Sequence, residues 1–462
     1  MPAQIAKPAP PFESQNVQVL NAADRLMLVA HEGMRRLGHP GFQCQTHVWM
    51  DGRLDVAAFR NALSAARELP SHRVAAGARR KRVPFWQFEA GREVDFAEHT
   101  LADDSREAVW RFAEQIFEKP LNLDERDPIG FHLLHLPEGR DVLLVRFSHV
   151  LMDGKGPEFT LSEINRLFTN CESGGPDSTR ASNDQTMPQA VSTCADELAA
   201  HLKRIGFRKR VTSAMQVVRS QIKMPIRSAV LARGDITQWA HGPFRIQVRE
   251  MDEDRTKRAI DRVRRLCGFA NLSPAVLAST FRALREFTDK PIGPRTGFKT
   301  DVPLNLRPPG KIQPVFRNYM SFIQMSARPH ELADRDALTK KLNAYMREQI
   351  RRGVDIGTMQ MMSLMAPREK LLARHLLDRM RSDPISLGFG FLGPVLPGLE
   401  TFCGRHVDWL YSMNASISPP GMVMQVNQFR GRMNLVMTYI GDKVPDELAN
   451  QFAEFIMDDL TA

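Results

Sequence analysis

One strand constrains the fold of this chain more than any other segment. The residues Val-Leu-Leu-Val-Arg-Phe at 142–147 place five apolar side chains in six positions. A strand that is apolar on both faces is typical of a sheet that is covered on both sides. The sequence HVLMDG follows at once, so the buried strand ends in His149, Asp153 and Gly154. We therefore expect a covered sheet whose central strand delivers polar residues to one end.

Strand and helix patterns alternate twice along the 462 residues, which is too long a chain for one ordinary core. Between the two alternations, the segment ESGGPDSTRASNDQTMPQAVST has the Ser-, Thr-, Gly- and Pro-rich composition of a linker. We predict an N-terminal lobe over residues 1–170, a linker over 171–195 and a C-terminal lobe over 196–462. Each lobe is expected to be a mixed sheet with helices against it, an α/β (α+β) architecture.

Local signals predict several elements within the lobes. The strands at 129–136 and 141–148 flank the turn sequence PEGR, so we expect them to pair as neighbours. Ser273 and Pro274 are expected to start a helix, as its N-cap and its first helical residue. Near the C-terminus, two apolar runs on either side of RGR predict a hairpin with Gly431 in its loop. Neither lobe carries a glycine-rich phosphate loop or a dinucleotide fingerprint.

The residues of HVLMDG suggest a catalytic turn. A histidine at the end of a strand can present its ring to a crevice, and its ordinary pKa of about 6.5 lets it accept a proton near neutral pH. Asp153 is placed either to orient the ring of His149 or to be tied to a cation, and Gly154 would leave room for a substrate near the backbone. Chance alone gives this pattern in roughly one chain in twenty of this composition. The motif alone is therefore weak evidence for a catalytic site, and the rest of the sequence must decide between the two interpretations.

The net charge of +10 comes mostly from one basic segment, at about residues 198–234. This segment contains no acid and nine cations: Lys203, Arg204, Arg208, Lys209, Arg210, Arg219, Lys223, Arg227 and Arg233. Such a field attracts an anionic membrane surface, a nucleotide-like phosphate group or an acidic protein, whereas the simpler alternative is a solvated helix face. Apolar and basic residues mix here without a clean stripe, so the sequence does not indicate a membrane-lying helix. Nucleic acid is not expected, because no RNA- or DNA-binding motif is present.

Other features bear on compartment and on metal binding. The sequence has no run of about 18 uncharged apolar residues, and its first residues lack the order of a secretory signal, so we expect a cytoplasmic protein. Its five cysteines are far apart and form no CxxC pair. We expect free thiols and no metal site.

Several landmarks accompany HVLMDG in order along the chain. They are NAADRLML near the start, the sequence MDGRLDVAAFRNALSAA, the pair TDVPLNLRP and FRNYMSFIQM, and the C-terminal segments GFGFLGPV and VNQFRGRMNLVMTYIGDKVPDELANQFAEF. Together they resemble the condensation-domain-like superfamily of acyltransferases, whose motif is HxxxDG. This superfamily includes peptide-synthetase condensation domains, plant-type alcohol acyltransferases, wax ester synthase/diacylglycerol acyltransferases and polyketide-associated acyltransferases. The resemblance covers nearly the whole chain.

The resemblance implies two lobes built like chloramphenicol acetyltransferase, arranged as a V around a central tunnel. It implies that His149 is the catalytic base within the tunnel and that Asp153 is mainly structural, with Gly154 and our candidate cation Arg307 in support. In the implied reaction, an acyl-CoA or a phosphopantetheinyl thioester on an acyl-carrier protein meets an alcohol or an amine. His149 removes the proton of this acceptor, with no permanently bound cofactor, no metal and no covalent acyl-enzyme.

Two departures narrow the resemblance. Ser148 stands where many members have a first histidine, and the DFGWG sequence of the plant-type branch is absent. The branches that the chain still resembles are the free-standing bacterial condensation-like, the wax ester synthase/diacylglycerol acyltransferase and the polyketide-associated ones. Membership of these branches would imply a role in secondary metabolism or lipid biosynthesis. For the oxyanion, backbone N–H groups or Asn318 are the candidates. The alternative is a non-catalytic condensation-like module that binds a carrier protein.

These alternatives define the expected partners. They are a small-molecule or lipid acceptor, an acyl or peptidyl carrier protein, and a membrane surface that the protein contacts peripherally. The basic segment would meet coenzyme A phosphates, an acidic carrier protein or anionic lipid. We expect the chain to act as a monomer.

Overall fold

The structure is a computed structural model. It describes residues 17–36, 38–66, 73–74, 85–88, 94–121, 123, 128–172, 197–233, 242–268, 271–289, 292–293, 295–307, 317–366, 385–415 and 420–462. Nearly all of the predicted linker lies outside these ranges.

Strands in the described ranges form four sheets. They are β1 (Val17–Val19), β2 (Gln43–Asp51), β3 (Arg73–Val74), β4 (Phe85–Phe88), β5 (Asp95–Thr100), β6 (Ile129–His135), β7 (Asp141–Ser148), β8 (Arg227–Ser228), β9 (Phe244–Met251), β10 (Thr296–Asn305), β11 (Met320–Ala327), β12 (Gly388–Pro394), β13 (Thr401–Phe402), β14 (Arg405–Asn414), β15 (Met422–Phe429) and β16 (Arg432–Ile440). The sheet orders are β1-β4-β3, β11-β10-β8, β12-β15-β16-β9 and β13-β14-β2-β7-β6-β5.

Helices cover these sheets. Those in the described ranges are α1 (Ala22–Arg36), α2 (Val56–Ala65), α3 (Arg106–Glu118), α4 (Gly156–Glu172), α5 (Glu197–Arg204), α6 (Phe207–Ile222), α7 (Glu253–Cys267), α8 (Ser273–Phe287), α9 (Arg335–Arg351), α10 (Val354–Met365) and α11 (Asp446–Thr461). The predicted mixed α/β architecture is confirmed.

The strand β7 is the centre of the six-stranded sheet. It pairs antiparallel with β2 on one side and with β6 on the other, as the sequence predicted for the β6–β7 pair. All eight of its residues are buried. Leu143 and Val145 lie in one apolar core with residues of α2 and α4, whereas Val142 and Leu144 lie in another with residues of α3. The apolar run is thus continuous because helices cover both faces of the strand.

The six-stranded sheet contains a strand from far along the chain. Residues 406–414 of β14 pair antiparallel with β2, from His406 opposite Asp51 to Asn414 opposite Cys44. The sequence prediction assigned residues 196–462, which include β14, to the C-terminal lobe, and in the structure this strand pairs with β2 of the first-lobe segment. The free edge of β2 is completed by β14, whose side chains Trp409 and Tyr411 also enter the core that contains α3. The lobes therefore share a sheet.

The second lobe carries the remaining landmarks. β15 and β16 form the predicted hairpin, with Gly431 at a φ of +76° in its turn. A glycine tolerates this left-handed conformation without steric cost. The helix α8 differs from expectation by one residue, because Ser273 is already helical and the Asn271 side chain accepts the hydrogen bond from its N–H at 3.1 Å.

Three chain segments meet at the end of β7. β10 and β11 pair antiparallel, so the residues after β10 and before β11 lie side by side. Arg307 follows β10 and Asn318 precedes β11, and both contact the turn after β7. The start of α1 completes the junction through Asp24. The candidate site therefore lies where the first lobe meets the β10–β11 pair.

Candidate functional site

The turn after β7 is fixed by its own backbone and by apolar anchors. Leu151 N–H donates to Ser148 O at 3.0 Å, and Gly156 N–H donates to Asp153 O at 2.9 Å. The three residues between His149 and Asp153 are fully buried in the first-lobe core: Val150, Leu151 and Met152. The spacing of the motif thus places its two polar side chains on either side of an apolar anchor.

His149 is held through one ring nitrogen. Its Nδ1 lies 3.1 Å from Asn318 Oδ1. The Asn318 Nδ2 lies 2.8 Å from the His149 carbonyl oxygen, so the Asn318 amide is oriented with its oxygen towards the ring. An amide oxygen can only accept, so Nδ1 carries the proton and Nε2 keeps its lone pair. This is the tautomer that a general base acting through Nε2 requires.

The environment of His149 favours the neutral ring. The residue is only 8% exposed, and burial lowers its pKa below the ordinary value of 6.5, partly offset by hydrogen bonding and by the Asp153 charge. Desolvation disfavours an isolated imidazolium. The ring is therefore neutral at pH 7 and able to accept a proton.

Phe42 packs against one side of the histidine. Its ring centroid lies 4.7 Å from that of His149, and its carbonyl accepts a hydrogen bond from His149 N–H at 3.0 Å. Phe42 N–H in turn donates to Nδ1 of His31 at 3.2 Å. Gly41, at a φ of +106°, allows this approach, because a Cβ there would lie 2.5 Å from His31 Cε1. The backbone before β2 thus supports the ring from the first lobe.

Asn318 is itself held by a buried carboxylate. Asp24 Oδ1 accepts from the backbone N–H and from Nδ2 of Asn318, both at 3.0 Å. Asp24 Oδ2 accepts from Asn21 N–H at 3.0 Å, while Asn21 Oδ1 accepts from Asp24 N–H at 2.8 Å. This reciprocal pair is a capping box at the start of α1. The segment NAADRLML therefore anchors the residue that orients His149.

Asp24 was not among the predicted site residues. The Asn-x-x-Asp spacing before an apolar helix does indicate a helix cap. It carries no information about Asn318, which lies 294 residues further along the chain. Asn318 was a candidate oxyanion stabiliser, but its amide is engaged with His149, Val150 and Asp24. In the structure the Asn318 amide oxygen contacts Nδ1 of the histidine ring.

Asp153 bonds to Arg307 and Tyr319 and so holds the turn to the second lobe. Its Oδ2 lies 2.8 Å from Arg307 Nη1 and accepts from Tyr319 N–H at 2.8 Å, while Oδ1 accepts from Lys155 N–H at 3.1 Å. Arg307 also donates to Arg317 O at 3.3 Å. Both partners of the ion pair are buried, with side chains 4% and 7% exposed. The pair joins β10 to the turn after β7.

Gly154 has a packing role that differs from the expected one. We expected it to leave room for a substrate, but a Cβ at this position would lie 2.5 Å from Cδ2 of Leu392 in β12. The space is taken by a side chain of the second lobe. Gly154 therefore permits close contact between the turn and β12.

Ser148 serves the turn itself. It is fully buried, its N–H donates to Pro128 O at 2.7 Å, and its hydroxyl accepts from Val150 N–H at 3.2 Å. A serine in this position is therefore compatible with the orientation of His149.

Within the described ranges, no group of three or more His, Cys, Asp or Glu side chains is arranged to hold a metal ion. None of the helices in the same ranges combines the length and apolar character needed to cross a membrane.

Solved structures of other proteins share the fold of this chain. No family model and no curated protein matches the chain. The EpoB cyclization-docking bidomain of a nonribosomal peptide synthetase from Sorangium cellulosum matches with a TM-score of 0.69 at 12% identity, over 96% of this chain and 85% of that one. The first condensation domain of the CDA synthetase matches with a TM-score of 0.68 at 14% identity, over 96% of each chain.

A third solved structure resembles the chain to a similar degree. It is a variant of the starter condensation domain of rhizomide synthetase in complex with C8-CoA, with a TM-score of 0.66 at 14% identity, over 97% of this chain and 95% of that one. At sequence identities of 12–14%, structural similarity establishes the fold alone. The chain has the two-lobed, chloramphenicol-acetyltransferase-like fold of condensation domains.

Proposed function

We propose that this protein is an acyltransferase of the condensation type, which transfers an acyl group from a thioester donor to an alcohol or amine acceptor. The observation that carries the proposal is the geometry of His149. Its ring is buried, neutral and fixed through Nδ1, which leaves Nε2 as a base. A positioned general base contributes about 10²–10⁴-fold to a rate.

The proposed reaction has two proton transfers. Nε2 of His149 takes the proton from the acceptor O–H or N–H as the acceptor oxygen or nitrogen attacks the thioester carbonyl carbon. The C–S bond then breaks, and the departing thiolate takes the proton back from the imidazolium. An ester or an amide and a free thiol result, with no covalent acyl-enzyme and with His149 returned to its neutral form.

Two further features support this assignment. Asn318 holds the ring through its amide oxygen, and Asp24 of α1 holds Asn318 in turn, so the base is preorganised. The rhizomide synthetase starter domain, which shares the fold, was solved with C8-CoA. This favours coenzyme A thioesters as the first donors to test, with carrier-bound thioesters as the second.

The test is a donor and acceptor panel with purified protein. Acyl-CoA and acyl-carrier thioesters of several chain lengths are mixed with alcohols or amines; thiol release is followed and products are identified by mass spectrometry. We expect thiol release that requires both substrates and yields an ester or an amide. Absence of release with every pair, combined with tight binding of an acyl-carrier protein, would instead indicate a non-catalytic carrier-binding module.

A further inference from the structure

The helix α6 exposes a continuous apolar stripe. Five side chains at positions i, i+4, i+8, i+11 and i+15 of the helix point to solvent: Phe207, Val211, Met215, Val218 and Ile222. Phe207 is 72% exposed and Ile222 is 79% exposed, and Ile226 just beyond the helix is 65% exposed. These spacings place all five residues on one face. The sequence alone showed no clean stripe, because apolar and basic residues are mixed along this segment and apolar Val217 lies on another face of the helix.

The opposite face of α6 is fixed against α10. Ser213, Val217 and Ser220 are its buried residues. A Cβ on Gly357 of α10 would lie 2.2 Å from the Ser213 carbonyl oxygen, so the two helices approach as closely as their backbones allow. This contact prevents α6 from turning its stripe towards the core. The apolar face is therefore an outward surface of the folded protein.

Cations border the stripe. Arg208, Arg219 and Lys223 are exposed, and none of them forms an ion pair with any residue that the structure describes. Arg219 and Lys223 also line a recess of about 710 Å³ between α6 and α9. Lys203 and Arg204 of α5 add two more exposed cations at the start of the helix. The stripe thus lies within the most basic segment of the chain.

We propose that α6 docks on the surface of an anionic lipid bilayer. The stripe inserts between the acyl chains, and the bordering lysines and arginines meet the headgroup phosphates. A helix of 16 residues is about 24 Å long and can lie in the plane of a fluid bilayer, which needs no matching groove. A second copy of the chain would bring two basic borders together, which electrostatic repulsion disfavours.

Vesicle flotation with the full-length protein tests this proposal without any substrate. Vesicles of phosphatidylcholine are compared with vesicles of phosphatidylcholine and phosphatidylglycerol. We expect wild-type protein to float mainly with the anionic vesicles, and added salt to weaken the binding. The result is independent of whether the protein proves to be an acyltransferase.

Variants separate the stripe from its charges. Met215→Glu with Val218→Glu should reduce anionic-vesicle binding at least about tenfold, whereas Met215→Leu with Val218→Leu should retain it. Arg219→Glu with Lys223→Glu should also weaken binding. Lys257→Glu with Arg258→Glu, exposed on α7, makes the same change of net charge and should leave binding unchanged. Unchanged thermal unfolding verifies that each variant is folded.

Three outcomes would overturn the proposal. The first is equal vesicle binding by wild type and the Met215→Glu, Val218→Glu variant. The second is a wild-type dimer in solution that this variant abolishes, with no vesicle binding. The third is tight binding of a purified acidic carrier protein through the stripe, again with no vesicle binding.

Discussion

At the scale of single residues, the site depends on a chain of hydrogen bonds from Asp24 through Asn318 to His149. Burial raises the pKa of Asp24 to about 6, and the nearby Arg317 charge and Asn318 hydrogen bonds offset part of that rise. At pH 7 the carboxylate is mostly ionised and accepts three hydrogen bonds from two residues. Charge-assisted bonds of this kind are stronger than neutral ones. These bonds hold the Asn318 amide in place, and the amide in turn orients the His149 ring.

The replacement Asn318→Ala tests this chain. It removes the acceptor for His149 Nδ1–H, so the ring should lose its fixed tautomer. A lost hydrogen bond of about 1.4 kcal/mol corresponds to about tenfold in rate. We expect kcat for thiol release to fall about tenfold or more, with KM little changed. Nitrogen-15 NMR of the imidazole, which distinguishes the two tautomers, should show a mixture in the variant.

A purely structural role for Asn318 predicts a different pattern. In that case the variant would lose thermal stability, and its remaining folded fraction would keep the wild-type kcat and the wild-type tautomer. The variant Asn434→Ala serves as a control. It removes another buried asparagine, which bonds Trp409 and Leu410 away from His149.

The motif residues of the site are contiguous in the chain, whereas Arg307, 154 residues from Asp153, was expected only from the family resemblance. His149 and Asp153 could be chosen because they share one turn after an apolar strand. The hydrogen bond between Asn318 and the His149 ring could not be predicted, because the two residues are 169 positions apart and no local pattern encodes the contact. The packing role of Gly154 depends on Leu392, which is equally remote.

At the scale of elements, the turn after β7 is joined to β10 by the buried pair of Asp153 and Arg307. Removing one partner of a buried ion pair leaves the other charge without compensation. We expect Arg307→Ala to lower the free energy of unfolding by about 3 kcal/mol, at the low end for such pairs, because Asp153 keeps two backbone N–H donors. Urea unfolding measures this change.

A surface pair provides the matched comparison. Arg166 pairs with Glu163 on α4 and is half exposed, so Arg166→Ala should cost less than about 1 kcal/mol. Similar losses in the two variants would contradict the structural role that we assign to the Asp153–Arg307 pair.

The contact between Gly154 and β12 predicts a coupling between two substitutions. Gly154→Ala forces a Cβ against Cδ2 of Leu392, and the cost should be about 1 kcal/mol, at the low end for overpacking, because this methyl group is the end of a flexible side chain. Leu392→Ala makes the space that the new methyl group needs. The double variant should therefore lose less stability than the sum of the single variants, as measured in a double-mutant cycle. Additive losses would show that the two residues are not in contact.

Strands and helices with strong local signals could be predicted from the sequence, but the residues at which they begin and end were harder to predict. The β6–β7 pair and the β15–β16 hairpin were predicted from alternating apolar runs around turn residues. The start of α8 was misplaced by one residue, because the N-cap is Leu272 and Asn271 before it accepts the hydrogen bond from Ser273 N–H. Asn271 and Ser273 are both good helix-capping types, so the sequence does not distinguish them.

At the scale of the whole molecule, the lobes are interlocked by β14. This strand lies in the first-lobe sheet and covers the edge of β2. A fragment of residues 1–172 would lack it and would leave β2 with unpaired backbone groups. We expect this fragment to give no cooperative thermal unfolding transition and little near-ultraviolet circular dichroism. A fragment that unfolds cooperatively would show that the first lobe is complete without β14.

The exchange of β14 was not predictable from the sequence. Its residues have an ordinary strand pattern, and the pattern does not state which sheet edge they will join. The division into lobes was drawn from the position of the linker, which marks a change of composition and carries no information on strand pairing. Long-range pairing of this kind follows from the fold as a whole.

The central claim is that buried, neutral His149 is the general base. The most direct measurement is kcat/KM for thiol release against pH, for wild type and for His149→Ala, with an alcohol acceptor that does not titrate. The neutral ring is the active form, so the wild-type rate should fall only as the pH drops through a pKa below 6.5. His149→Ala should be about 10²–10⁴-fold slower and should lack this acid limb. Equal rates, or an acid limb that both proteins share, would contradict the account.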